Sequence, residues 1–472
     1  MTIGSVVLFV IIGLAGLGVA GAIWQRPQRG ILLLAALTPF NGMTVLLPAG
    51  MVPAGWKEAL LLFTLLVALI RCGSLSVRGL GGGWWPAALA LVIFGVVSAF
   101  VTFGVDGLVP IKITFIYILV ALTIWRAPFT ASDRDRLVTI MITVGLINAV
   151  YGIAQQFIGV SSLVDLGYVY GNEVRNAGPL LRSFGTFNQP FPYGLFLMVT
   201  ILVALAVSLN DPHRWRSRLV FWTLPLLIVA MSLSVVRASY LGLVTGLLFM
   251  GFVRYRAFLA RIALPVVGTV ALAVYLLPSS VLSTFVSSDS YATRSGGWTF
   301  VWNTIITHPL GEGLGMTGSA GEKLATGSVQ LPETLRDRID GATAFAYGMP
   351  YQPDNYYIKL LFELGPLGLW LFLMILVTGL VTSVRVARRA EPSDSALAVG
   401  IGAVIAAAAA ASVVSTYFEI FPLDVYFWML LGVLAGIPTT RHSSDDQVAQ
   451  AQTAVRPTQG TAVLPPKGVR LS

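Results

Sequence analysis

The chain is a succession of apolar runs, each about as long as a bilayer is thick, separated by short polar or basic loops. A helix that spans a membrane needs about 20 mainly apolar residues. Runs of that kind fall at roughly 3–24, 30–48, 56–70, 84–103, 108–125, 137–158, 190–209, 219–235, 238–253, 258–277, 355–384, 396–415 and 420–437. The second and third are interrupted by Pro39, Asn41, Pro48 and Pro53 and read as a bent pair or a re-entrant element. The expected fold is therefore all-α, a polytopic membrane helical bundle of about 12–13 helices. Composition agrees: 11% of residues are charged and 56% hydrophobic, against about 25% charged in a soluble domain.

The basic residues set the orientation. Arg26/Arg29, Arg71/Arg78, Arg126/Arg134/Arg136, Arg214/Arg216/Arg218, Arg254/Arg256/Arg261 and Arg385/Arg388/Arg389 occupy alternate loops. The positive-inside rule makes that side cytoplasmic. The formal charge of +9 is thus explained by topology rather than by nucleic-acid binding. The first run has no basic residue ahead of it and reads as a retained helix with its N-terminus outward. Cys72 is the only cysteine and there are three histidines, which excludes an intrachain disulfide and disfavours a thiolate or multi-histidine metal site. The tail after about Pro438 is polar and poor in aromatics and reads as a disordered cytoplasmic extension. Three regions result: N-terminal transmembrane helices over 1–177, a transmembrane core over 178–437, and the tail over 438–472. Gly402, Ala406 and Ala410 offer a small-residue face for close helix packing.

The external connections include 159–189 and a long polar loop, about 278–354. A loop of that length, rich in Trp, Tyr and Gly, reads as one wall of a working site. Cations on this face run against the positive-inside trend. Arg182, Arg237 and Arg294 are such residues, whereas Arg175, Lys323, Arg336 and Arg338 each have an acidic neighbour and read as solvated charges. Guanidinium groups match phosphate oxygens bidentately, so three on one face fit a phosphate or pyrophosphate held at the membrane surface. The alternative for each is a nearby carboxylate, such as Glu173 for Arg182, or a lipid phosphate. Asn355, Lys359 and Glu363 share one helical face, and Lys359 with Glu363 reads as a structural pair. Asp354 is either the cap of that helix or a general base for a sugar hydroxyl. His308 is the rival base, or a turn residue before Pro309. The segment Gly311-Glu312-Gly313-Leu314-Gly315 lacks the strand–helix context of a nucleotide-binding loop.

Four segments in order resemble the O-antigen ligase and O-antigen polymerase superfamily. They are Arg182-Ser183-Phe184-Gly185-Thr186-Phe187-Asn188-Gln189-Pro190, Ser234 to Gly242, Trp298 to Gly315, and Asp354-Asn355-Tyr356-Tyr357 through Glu363-Leu364-Gly365-Pro366-Leu367-Gly368-Leu369. The match covers about 180–385. The resemblance implies a glycosyltransferase of the C type in the bacterial cytoplasmic membrane, acting on its external face. Its donor would be a glycan on undecaprenyl pyrophosphate, with no cofactor and no metal. The acceptor would be a second lipid-linked repeat unit in a polymerase, or another lipid or protein in a ligase. Polysaccharide export or chain-length proteins would be its partners, with no nucleic acid. By resemblance Arg182 and Arg237 hold the pyrophosphate. Position 354 is where ligases carry a catalytic His; Asp354 stands there instead, which favours a polymerase and makes Asp354 the candidate base. Arg294, Asn355, Trp298, Trp302 and Tyr356 are the expected substrate-binding residues beside it. A lipid-linked sugar transporter is the competing class, although no inverted repeat is visible in the sequence.

Overall fold

The computed structural model of the chain describes residues 16–47, 52, 53, 55–72, 82–171, 173–258, 260, 261, 302, 305–326 and 355–439. The span expected near 258–277, most of the loop 278–354 and the tail beyond 439 lie outside the described residues.

The chain runs back and forth between two ends of a helical bundle. Helix α1 (16–25) is followed by α2 (Gln28–Leu37), which continues as a 3-10 helix, Thr38–Leu46. Then come α3 (Trp56–Arg71), α4 (Trp85–Phe103), α5 (Leu108–Phe115), α6 (Ile118–Arg126), α7 (Ala131–Ile158) and the short α8 (Val160–Asp165). A two-stranded antiparallel hairpin, β1 (Arg175–Ala177) and β2 (Leu180–Arg182), leads into α9 (Pro190–Asn210), α10 (Trp215–Ser232) and α11 (Arg237–Met250). The remaining helices are α12 (Gly318–Thr326), α13 (Tyr356–Arg389), α14 (Pro392–Ala411) and α15 (Leu423–Ala435).

Seven helices among the described residues are long and apolar enough to cross a membrane: Gln28–Leu46, Trp85–Phe115, Ala131–Ile158, Pro190–Asn210, Arg237–Phe258, Tyr356–Arg389 and Pro392–Ala411. This is the architecture of a multi-pass membrane protein. The larger number of spans expected includes elements that fall short of that standard. Helix α15 has 13 residues, and at 1.5 Å per residue it reaches about 20 Å of a core about 30 Å thick. Helix α10 begins with Arg216 and Arg218 in its first turn. Large apolar side chains face outward, with Phe252 92% and Trp222 85% exposed, as a lipid-facing surface requires.

Two details depart from the apolar pattern. The run expected as one span over 108–125 is broken at Ile116 and Tyr117, and the Tyr117 ring packs 5.8 Å from that of Phe421. The hairpin was not foreseen, because its strands are three residues long and show no apolar alternation.

The basic loops converge on one end. Arg71 donates to the Trp24 carbonyl at 2.8 Å, and Arg26 lies 3.3 Å from Asp133. Arg134 grips Asp394 with two bonds of 2.8 and 2.6 Å. Arg214 and Arg216 both reach Asp135 at 2.9 Å, while Arg254 donates to Asn210 at 2.8 Å and to Ser395. Each of these bonds ties one loop to another, so the basic turns form a connected layer.

The core centres on α9 and α14, which are buried nearly all round. Helix α14 packs on α9, α11 and α13. The small-residue expectation is met, on a different register. A Cβ at Gly242 or Gly246 of α11 would stand 3.0 Å from the carbonyls of Ala407 and Ala403. The closest approach therefore uses Ala403 and Ala407, whereas Ala406 and Ala410 are only half-buried. Such backbone proximity is available only to small side chains.

Candidate functional site

The segment from Arg182 to Pro190 folds as a buried turn at the end of the bundle opposite the basic layer. Helix α7 holds it with a polar stripe. Gln155 Oε1 accepts from the amides of Phe184 and Gly185 at 3.0 and 2.9 Å, and its Nε2 donates to the Gly185 carbonyl at 2.9 Å. Gln156 Nε2 donates to the Leu181 carbonyl and to Ser183 Oγ, both at 2.7 Å, and Ser183 Oγ donates to the Gly152 carbonyl at 2.6 Å. Asn148 Oδ1 accepts from the Thr186 amide at 3.0 Å. The Thr186 hydroxyl lies 2.7 Å from both Asn148 Oδ1 and the Pro39 carbonyl, which joins the turn to the N-terminal helices. Gly185 sits at φ 55°, and a Cβ there would stand 2.6 Å from the Tyr193 ring. Only glycine fits. Much of the turn's backbone is thus bonded to protein, and the turn is a mount with Arg182 at one end and Asn188 and Gln189 at the other.

Arg182 is half-buried. Its Nε donates to the Ser234 carbonyl at 3.1 Å and its guanidinium lies 5.1 Å from the centre of the Phe191 ring. Glu173, the carboxylate that could have paired with it, instead accepts from the Val169 amide at 2.9 Å. The Ser234 carbonyl is offered by the tight connection between α10 and α11, where Val235 adopts φ 53°. Arg237, exposed, opens α11 directly after it. Arg175 stands opposite Arg182 in the hairpin register. Burial, together with the neighbouring Arg175 and Arg237, pushes the Arg182 guanidinium down to about 10. Arginines from three segments therefore form one electropositive cluster. Arg175, expected to be a solvated charge beside its acidic sequence neighbour, is half-buried and stands opposite Arg182 across the strands.

Beside this cluster is a cavity of about 480 Å³. Phe191, on which Arg182 stacks, is part of its wall, as are Asn188 and Gln189. The wall also takes Lys57 and Glu58 from α3, Lys112 and Tyr117 from the α5–α6 region, Glu322 and Lys323 from α12, and Thr416, Glu419, Phe421 and Asp424 from the connection into α15. The volume lies within the usual range for small-molecule sites, about 300–1,000 Å³. Lys112 pairs with Glu58 at 3.1 Å. Glu419 pairs with Lys359 at 2.9 Å, and Lys359 also pairs with Glu363. All three members of that triad are buried, and Glu363 accepts from the Thr317 amide at 2.9 Å. Burial pushes the Glu419 carboxyl up, with Lys359 opposing.

The glycine-rich segment has a packing role. Helix α13 is interrupted at Gly365, φ 63°, followed by Pro366. Proline has no N–H to reach the Phe362 carbonyl. The Glu312 amide takes that carbonyl at 2.9 Å, and the Gly313 amide takes that of Glu363 at 3.1 Å. A Cβ at Gly311 or Gly365 would overlap the backbone it touches. His308 closes the turn by pairing with Glu312 at 3.0 Å and is not among the residues lining the cavity.

Asn355 proves to be the cap of α13, its Oδ1 accepting from the amides of Tyr357 and Ile358 at 2.9 and 3.2 Å. The cap role considered for Asp354 thus belongs to its neighbour. Tyr356 is buried, its ring 5.0 Å from Phe372 and 5.2 Å from Phe418, and does not line the cavity. Trp302 is exposed. Asp354, Arg294 and Trp298 lie outside the described residues. Lys57, Lys112 and Asp424 were not singled out by the sequence. The positive-inside argument that found Arg182 also applies to Lys57 and Lys112, which follow the external connections 49–55 and 104–107. Compared with known proteins, the chain matches no family model and no curated protein.

Proposed function

We propose that the chain is a membrane glycosyltransferase that moves a glycan from undecaprenyl pyrophosphate to a sugar hydroxyl, polymerising repeat units of a surface polysaccharide in the bacterial cytoplasmic membrane. The observation that carries this reading is the proximity of Arg182 to Arg237 and Arg175, with Arg182 stacked on Phe191 of the cavity wall. Fixed guanidinium groups stabilise the charge that builds on a departing pyrophosphate. The acceptor hydroxyl attacks the anomeric carbon, the bond to the pyrophosphate oxygen breaks, and the proton passes to a general base. Asp354 is the residue the sequence offers for that role. Transfer to a different lipid or protein, as in a ligase, would use the same donor chemistry.

The test is polymer formation by purified protein from a lipid-pyrophosphate-linked repeat unit. Arg182→Ala and Arg237→Ala, at normal expression, are each expected to lower turnover by roughly 10²–10³-fold. Unchanged output from both variants would remove the pyrophosphate site.

A further inference from the structure

Two buried or half-buried charged side chains on the cavity wall, Asp424 and Lys57, make no ion pair within 4 Å among the described residues, although each lies in the other's field. Asp424 is 6% exposed, lines the cavity, and has no basic group within 4 Å among the described residues. Its Oδ1 accepts from the adjacent Val425 amide at 2.8 Å. Lys57, half-buried on the facing element, lies 3.9 Å over the Phe421 ring and likewise has no carboxylate within 4 Å among the described residues. Burying an ionisable group with few polar partners is costly, and ionisable groups so placed in a cleft mark candidate binding sites. The other buried or half-buried carboxylates of the wall, Glu58 and Glu419, are already held by Lys112 and Lys359.

The chemistry of the wall limits what binds there. The wall carries four carboxylates, Glu58, Glu322, Glu419 and Asp424, against three ammonium groups, Lys57, Lys112 and Lys323, so an anion as dense as pyrophosphate meets repulsion there and belongs with the arginines outside. A purely apolar chain would leave Asp424 and Lys57 unsatisfied. A neutral, hydroxyl-rich ligand satisfies both: its hydroxyls donate to Asp424 and accept from Lys57, while Tyr117, Phe191 and Phe421 offer ring faces. Resting on the glycosyltransferase reading above, we propose that this cavity is the saccharide pocket of the enzyme, with Asp424 and Lys57 as the residues that bind sugar hydroxyls. Phe191 joins the two parts of the site, carrying Arg182 on one side and forming cavity wall on the other. The saccharide can belong to the donor or to the acceptor, and the same hydroxyl chemistry serves either.

The experiment measures binding to the full-length protein in detergent, without turnover. Three probes are used: bare undecaprenyl pyrophosphate, the same lipid carrying the glycan extracted from native membranes, and the glycan released from its lipid. The glycan is expected to tighten binding of the lipid at least tenfold. Asp424→Asn and Lys57→Gln should each remove about tenfold of that gain, the usual effect of losing one hydrogen bond to a charged group, and leave bare lipid binding unchanged. If Asp424→Asn does not fold, Lys57→Gln, on a more exposed side chain, carries the test. Released glycan that binds alongside saturating bare lipid identifies the acceptor sugar; a gain seen only with linked glycan identifies the donor sugar. Bare lipid binding with no gain from the glycan, or a gain untouched by both variants, overturns the pocket and leaves the pyrophosphate reading standing. Failure of either lipid to bind the wild type overturns that reading itself.

Discussion

Gln155→Leu removes the side chain on which the turn from Arg182 to Pro190 hangs. Gln155 is completely buried. Its loss leaves the amides of Phe184 and Gly185 without their acceptor, and the Gly185 carbonyl without the donor at 2.9 Å. Leucine has nearly the same volume, so no cavity complicates the result. Each buried polar group left unsatisfied costs about 1–3 kcal/mol, which gives a loss of about 3–9 kcal/mol for the three. Neighbouring effects do not add perfectly, so the lower half of that range is expected. The measurement is unfolding by dodecyl sulfate in mixed micelles, followed by tryptophan fluorescence, beside an assay of polymer formation. Activity should fall with stability, because the same turn carries Arg182. A loss below about 1 kcal/mol with full activity would mean that the turn is held by something other than the α7 stripe.

Lys359→Met should be severely destabilising, by about 3–5 kcal/mol, because it leaves Glu363 and Glu419 buried together without their cation; denaturant titration reads this directly. Gly365→Ala should cost about 2–4 kcal/mol from left-handed backbone strain and overlap with the Pro309 carbonyl, with faster proteolysis near 309–315 as its signature. Arg182 gives a pH dependence. Its guanidinium is pushed down to about 10, below its ordinary value, so the folded, ligand-free protein binds that proton less well than the unfolded chain, and Arg182 destabilises the fold below about pH 10. That penalty is relieved as pH rises through about 10. A bound anion raises the value again, so affinity for undecaprenyl pyrophosphate should decline as pH passes through 10, and Arg182→Lys should shift the profile.

Helix positions were legible because the apolar runs are long and the breaks between them polar. The common placement of the basic turns followed from their alternation, and bonds such as Arg134 to Asp394 join loops that the sequence had only assigned to one side. What escaped the sequence depends on distance in space. Arg175 could be read only from its acidic sequence neighbour, while the hairpin also sets it opposite Arg182. Asn148, Gln155 and Gln156 carried a signal, a polar stripe at helical spacing in an apolar run, that explains the turn they hold. The paired carbonyls of Phe362 and Glu363 could be anticipated from Pro366, which removes one amide from the helix, but nothing local names Glu312 and Gly313 as the donors that replace it. Lys57, Lys112 and Asp424 stand at helix ends more than fifty residues from one another in sequence, and only the folded bundle makes them neighbours of one cavity.

The most direct test of the central claim follows a labelled, lipid-pyrophosphate-linked repeat unit in proteoliposomes containing the purified chain and no other acceptor. The account predicts a ladder of longer lipid-linked glycans that is lost in Arg182→Ala and Arg237→Ala. Label that crosses the bilayer without any lengthening or transfer would contradict it.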